Sequence, residues 1–298
     1  MSCGEKPKIE DRRARLVVPQ AGSDINIAAT VFASNYPLAY FAERISGSAD
    51  HVVFPDIDGD PAFWNPSAEN VASMQAASVI LLNGATYERW LDGVTLPERK
   101  IVDTSAPFAD RHLRIAGAIS HSHGPGAEHA HAGTAFTTWL DFPLAAEQAT
   151  SVYQALGDAG IGSESERDSN YAALIIDLNA IDSDIATLTA GQSSVPLVAS
   201  HPVYQYLADR YGLNIESVLW EPKIYPDEHQ WELLSDLLER HPARWMIWEG
   251  EPAVESVERL REMGLESIVF DPAGNRPESG DFVSVMSRNV ENLTKVFQ

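Results

Sequence analysis

One segment limits the architecture more than any other. From Glu164 to Ala190 the chain has no glycine or proline, and Tyr171, Leu174, Leu178, Ile181, Ile185 and Leu188 recur at spacings of 3, 4, 3, 4 and 3. That is one apolar stripe along a helix of roughly 27 residues, about 40 Å at 1.5 Å per residue. A rod of this length outspans a single small layer. The pattern predicts a spine with folded units packed along it, and a spine that limits hinging.

Both flanks of the spine carry a second pattern. Before it, residues 25–32, 51–54, 79–82 and 100–103 read as short apolar strands, with helices expected at 37–45, 67–76 and 87–91. After it, strands are expected at 196–200, 217–220, 245–249 and 267–271, with helices at 203–211, 227–240, 254–263 and 282–297. Strands alternating with helices predict an α/β fold of two lobes, each a mainly parallel sheet flanked by helices. The expected division is a tether over 1–24, an N-terminal lobe over 25–142, linking helices over 143–192 with the spine at 164–190, and a C-terminal lobe over 193–298. In open parallel sheets, ligands bind beyond the carboxyl ends of the strands. Asp60, Asn83, His201, Glu249 and Asp271 occupy such positions.

Four of the nine histidines fall in residues 120–134, as the pairs His121/His123 and His129/His131 around Gly124-Pro125-Gly126. Neutral imidazole is the commonest protein ligand for zinc and related ions. In an extended segment, residues i and i+2 point to one side, so each pair can offer two nitrogens to one ion. The glycines, Gly133 included, argue for a metal-gathering loop outside regular helix or strand. A solvated loop that only raises local metal concentration is the plainer reading of the same residues.

The net charge is −22, which disfavours nucleic acid and anionic lipid as partners and favours cations. No apolar run is long enough to span a bilayer. The single cysteine, Cys3, excludes an internal disulfide. Met1-Ser2-Cys3-Gly4 before a polar Glu5-Lys6-Pro7-Lys8 tether looks like a lipobox, so Cys3 is expected to carry the only link to a membrane. Asp56-Ile57-Asp58-Gly59-Asp60 alternates acids like a calcium loop, but Pro61 stands where glycine is needed and Ser67 where a bidentate glutamate is needed. No nucleophile elbow, H-E-x-x-H, P-loop or G-x-G-x-x-G occurs.

Several stretches together resemble the zinc/manganese class of ABC-transporter solute-binding proteins. They are Asp60-Pro61 with Trp64-Asn65-Pro66, Ile80-Leu81-Leu82-Asn83-Gly84, the histidine-rich segment, Trp139-Leu140-Asp141, Ser200-His201 with Tyr204 and Tyr206, Tyr211-Gly212-Leu213, and Phe270-Asp271-Pro272. The resemblance covers about 25–297. It implies two lobes joined by a long helix, metal in the cleft between them, a periplasmic or cell-surface location, and delivery by a monomer to an ABC permease. It also implies four ligand positions. Two are kept, as His201 and Asp271; two have lost their histidine, at Ala62 and Thr137. The compensating expectation is that His129 and His131, with His121 and His123 next, fold into the cleft. Imidazole donors favour Zn2+ over Mn2+ or Fe2+ as cargo. A metal-dependent hydrolase, and a surface adhesive protein without transport, are the competing functions.

Overall fold

Ser163 starts the spine: its side chain caps the helix by accepting from Glu166 N at 3.4 Å. The computed structural model describes Met1 and residues 29–298, apart from 56, 58, 60 and 123–127; side chains of 116–132 also lie outside the description. The tether with Cys3, and the positions of Asp60 and His123, therefore lie outside the described residues.

The first half holds β1 (Val31–Ala33), α1 (Tyr36–Ser46), β2 (Val52–Val53), α2 (Ala68–Ala76), β3 (Val79–Leu82) and β4 (Ile101–Asp103). Then come β5 (Arg114–Ser122), β6 (Glu128–Thr134), α3 (Phe142–Asp158) and the spine α4 (Glu164–Thr189). The second half holds β7 (Pro196–Ala199), α5 (Gln205–Tyr211), β8 (Asn214–Ser217), α6 (Glu228–Arg240), β9 (Trp245–Trp248), α7 (Val254–Glu262), β10 (Glu266–Val269) and α8 (Phe282–Phe297). One parallel sheet runs β2-β1-β3-β4 and the other β10-β9-β7-β8. Counted from the first strand of each sheet, the order is the same. The α/β class, the paired sheets and the spine agree with the sequence pattern. No helix among the described residues is long and apolar enough to cross a membrane.

The stripe on α4 is buried at Leu174, Leu178, Ile181 and Ile185. It joins a core that also takes Val31 and Leu81 from the first sheet, Leu197 and Ile247 from the second, and Phe282 and Leu293 from α8. Each sheet has a private core on its other face. Phe32, Met74, Ile80 and Trp90 form one; Trp220, Trp231, Leu234, Trp248 and Leu260 form the other.

Four expectations need correction. The histidine-rich segment is a β-hairpin: β5 pairs antiparallel with β6, His121 opposite His129 and Ile119 opposite His131. H-x-H with small residues between is itself a period-2 pattern, which a strand satisfies. The strand expected at 217–220 is β8 at Asn214–Ser217. Val218 and Trp220 are apolar because they fill the private core, while their amides still donate to Ala199 O at 2.9 Å and Ser200 O at 2.8 Å. The helix expected at 87–91 is a short 3-10 turn at Arg89–Gly93. His241, which in sequence suits a surface position after the helix expected at 227–240, is buried, with Nε2 2.9 Å from Leu197 O.

Candidate metal centre

Ligand sites form where neighbouring strands lead off in opposite directions, since the loops there part and leave a crevice. In the second sheet that place lies between β7 and β9. Ser200 N donates to Ile247 O at 2.8 Å, and Ser200 Oγ accepts from Glu249 N at 3.4 Å. These bonds place His201 and Glu249 side by side. His201 is 5% exposed; its Nδ1 lies 3.7 Å from Glu249 Oε1 and 3.9 Å from Glu221 Oε1. Those separations exceed a hydrogen bond. They approach the roughly 3.4 Å between two tetrahedral ligands each about 2.1 Å from one zinc ion. Among the described residues no three His, Cys, Asp or Glu already form a metal-holding group.

Glu221 and Glu249 line a cleft of about 280 Å³ between the lobes. Tyr87, Phe136, Thr137 and Trp139 form the facing wall. The local potential is negative. Burial first, then the charges of Glu249 and Asp271, push the Tyr204 hydroxyl well above its ordinary pKa. Tyr204 donates to Phe270 O at 2.7 Å.

Asp271 lies against an adjoining cavity of about 910 Å³, which shares Gly59, Pro222 and Asn275 with the cleft. Burial raises its pKa, opposed by the Ala273 N–H and by Arg288. The two positions without histidine supply no donor. Ala62 is buried in a 3-10 turn at Pro61–Phe63, and Thr137 Oγ1 is spent donating to Val203 O at 2.6 Å. The hairpin is rooted beside the cleft, where Leu113 N donates to Tyr206 Oη at 3.2 Å. Its register puts positions 121, 129 and 131 on one face of the ribbon. The structure thus brings His201 together with Glu221 and Glu249. From sequence, Glu249 and Glu221 each suit a cleft-facing ligand as well as a solvated loop acid. The usable signal was that each directly follows a tryptophan closing an apolar stretch.

The first sheet has the same crevice between β1 and β3, filled differently. Ser34 N donates to Leu81 O at 3.1 Å and Asn83 N to Ser34 Oγ at 3.2 Å. Asn35 and Asn83 stand where the other lobe has His201 and Glu249, and their side chains bond each other at 3.2 Å. Gln148 donates to Asn83 Oδ1 at 3.1 Å and to Thr104 Oγ1 at 2.9 Å. Beneath them Glu88 is buried. Its carboxylate accepts from Ser34 Oγ at 2.5 Å, Asn83 N at 2.6 Å and Gly84 N at 3.1 Å. Burial pushes its pKa up to about 7, with those three donors pulling the other way.

The family model described as "Zinc-uptake complex component A periplasmic" matches residues 31–296. The chain belongs to this family. The zinc-binding lipoprotein AdcA of Streptococcus pneumoniae serotype 4 is 23% identical over 287 residues, covering 92% of this chain and 56% of that protein. The zinc-binding protein AdcA of Streptococcus pyogenes serotype M1 is 22% identical over 280 residues, covering 87% and 54%. The chain therefore spans little more than half the length of these relatives. Among solved structures, the Zn(II)-bound ZnuA-like domain of S. pneumoniae AdcA superposes with a TM-score of 0.74 at 20% identity, covering 90% of this chain and 98% of that one. The metal-dependent lipoprotein YcdH of Bacillus subtilis gives 0.72 at 17%, covering 90% and 98%. FpvC of Pseudomonas aeruginosa in complex with Mn2+ gives 0.69 at 19%, covering 91% and 98%. At these identities the likeness establishes the two-lobed fold of the zinc-uptake family.

Proposed function

We propose that this chain is a binding protein, not an enzyme: it captures a divalent transition metal outside the cytoplasm and delivers it to an ABC permease. The observation that carries this is a buried imidazole, His201, beside two carboxylates at the mouth of an interlobe cleft. The matched family is a periplasmic zinc-uptake component, and the two AdcA relatives bear zinc in their names. Zinc is the preferred cargo, with Mn2+ and Fe2+ behind it, because the donors offered are rich in imidazole. His201, Glu249 and Glu221 hold the ion from the C-terminal lobe. Asp271 adds a carboxylate oxygen that has no hydrogen bond among the described residues. His121, His123, His129 and His131 replace the histidines missing at Ala62 and Thr137. The protein acts as a monomer of tether, two lobes and linking helices, anchored by lipid on Cys3.

A competition titration against a zinc chelator tests this reading. His129→Ala with His131→Ala should damage the tightest site about as badly as His201→Ala. Retention of wild-type tight affinity in the double variant would show that the ribbon only buffers zinc. Absence of any tight site in wild-type protein would refute cleft capture.

A further inference from the structure

Five residues after β10 tie the two lobes together at the cleft wall. Pro272 O accepts from Trp139 Nε1 at 2.7 Å, and Gly274 O accepts from Tyr36 N at 3.0 Å. Asn275 Nδ2 donates to Ile57 O at 2.6 Å and Gly59 O at 3.2 Å. Arg276 pairs with Glu43 at 2.6 Å and lies over the Tyr36 ring. Pro272, Gly274 and Asn275 line the cleft themselves, as do Gly59 and Trp139 opposite.

The path of this segment depends on one carboxylate. Ala273 has φ 53°, a left-handed conformation that a residue with a Cβ resists. Asp271 Oδ1 holds it there by accepting from Ala273 N at 2.7 Å, a charge-assisted bond. Asp271 is in turn fixed to α8: its N donates to Asn289 Oδ1 at 3.0 Å, and its O accepts from Asn289 Nδ2 at 2.7 Å. The chain therefore leaves β10, is pinned to α8 at Asp271, turns at Ala273 and reaches the other lobe at four points.

We propose that residues 272–276 are a clasp that sets the spacing of the lobes, and that Asp271 is its positioning residue through Oδ1. The consequence for metal rests on the cleft being the metal site: the clasp governs how long an ion is retained, separately from any bond the ion makes to Asp271. An ion reaching the other carboxylate oxygen would share a side chain with the clasp, so occupancy and lobe spacing are linked through one residue.

The test measures spacing without metal and release with it. Spin labels at Glu98→Cys and Glu255→Cys, both exposed positions on opposite lobes, report the interlobe distance in a Cys3→Ser background. In metal-free protein, Asp271→Ala and Asn275→Ala should broaden and lengthen the distance distribution. Asp271→Asn should keep it narrow, because the amide oxygen accepts the same bond from Ala273 N. Adding Ala273→Gly to Asp271→Ala should restore it, since glycine adopts the left-handed turn unaided. Zinc release into excess chelator should be about tenfold faster in Asn275→Ala, the effect of losing one or two hydrogen bonds. Unchanged distances in both Asp271→Ala and Asn275→Ala would overturn the clasp, whatever zinc does. Shifted distances in a protein that binds no zinc would uphold the clasp and refute the metal reading instead.

Discussion

At the end of β1 the chain reads Ser34-Asn35, and at the end of β7 it reads Ser200-His201. The two serines do the same work, each bonding its neighbouring strand through N and accepting through Oγ from the amide that follows that strand. What differs is the chemistry hung on the shared frame. In one lobe the crevice holds two amides locked to each other above a buried acid. In the other it holds an imidazole and a carboxylate 3.7 Å apart, too far to satisfy each other by a hydrogen bond. The amide pair makes a rigid plug; an imidazole beside a carboxylate has the donor chemistry of a metal site. The same backbone thus frames a lock in one lobe and the proposed half-site in the other.

The sharpest break of this comparison uses zinc. Saturation at 100–1,000 times Kd should stabilise wild-type protein by about 2.7–4.1 kcal/mol, read as a rise in melting temperature. His201→Ala should abolish most of that rise, whereas Asn35→Ala should leave the zinc-dependent increment intact while lowering the metal-free baseline. Equal loss of the increment in both would mean the two crevices are not specialised.

Next in size is the lock itself. Glu88→Ala strands the Asn83 and Gly84 amides and the Ser34 hydroxyl in the interior, at a cost of about 3 kcal/mol in stability. Denaturant unfolding of the metal-free variant reads this directly. A change below about 1 kcal/mol would show that the plug is dispensable.

Acidity should move the two crevices in opposite directions. Glu88 binds its proton more tightly folded, at about 7, than at its ordinary 4.5. Its contribution is therefore fully present below pH 4.5 and lost as pH rises through 7, about 2 kcal/mol between pH 5 and 7.5. Zinc affinity runs the other way, because bound imidazoles must be neutral and their ordinary pKa is about 6.5. Glu88→Gln should flatten the stability slope of the metal-free protein and leave the acid loss of zinc in place. A zinc affinity independent of pH from 7 to 5 would point to an all-oxygen site.

The smallest expected effect concerns strain. Thr86, at φ 66°, follows Ala85, at φ 50°, beside the lock, and Lys223, at φ 64°, lies near the cleft mouth. Replacing Thr86 by glycine should stabilise metal-free protein by up to about 1 kcal/mol. Lys223→Gly should do the same and also speed zinc exchange, since the loop from Glu221 becomes looser. Identical exchange rates in both variants would remove any special role for that loop.

Much of the frame was legible in the chain. The spine could be read because a stripe at spacings of 3 and 4 has one solution, and α8 emerged over the expected 282–297 because Asp281 caps it and its apolar positions keep helical register. β3 coincided with its expected span because a four-residue apolar run buried on both faces has little freedom. The ribbon was misread because alternating histidine and alanine suits a strand as well as a metal-gathering loop. The partners of His201 were not legible either. Glu221 and Glu249 stand 20 and 48 residues away in sequence, and only the order of strands in the sheet brings them together. The swap of Asn35 and Asn83 for His201 and Glu249 was hidden for the same reason, since no motif announces a repeated frame.

The core that runs from the first sheet through α4 to the second has a consequence for recombination. A crossover placed in the spine looks natural, because the helix separates the sheets in sequence. It would nonetheless cut one packed interior in two. The incoming half would bring its own versions of Leu197, Ile247, Phe282 and Leu293 to face a resident Val31, Leu81 and Leu174. The lobes look like modules, but they are inherited as a pair, and only the loops at the strand ends are free to vary one lobe at a time.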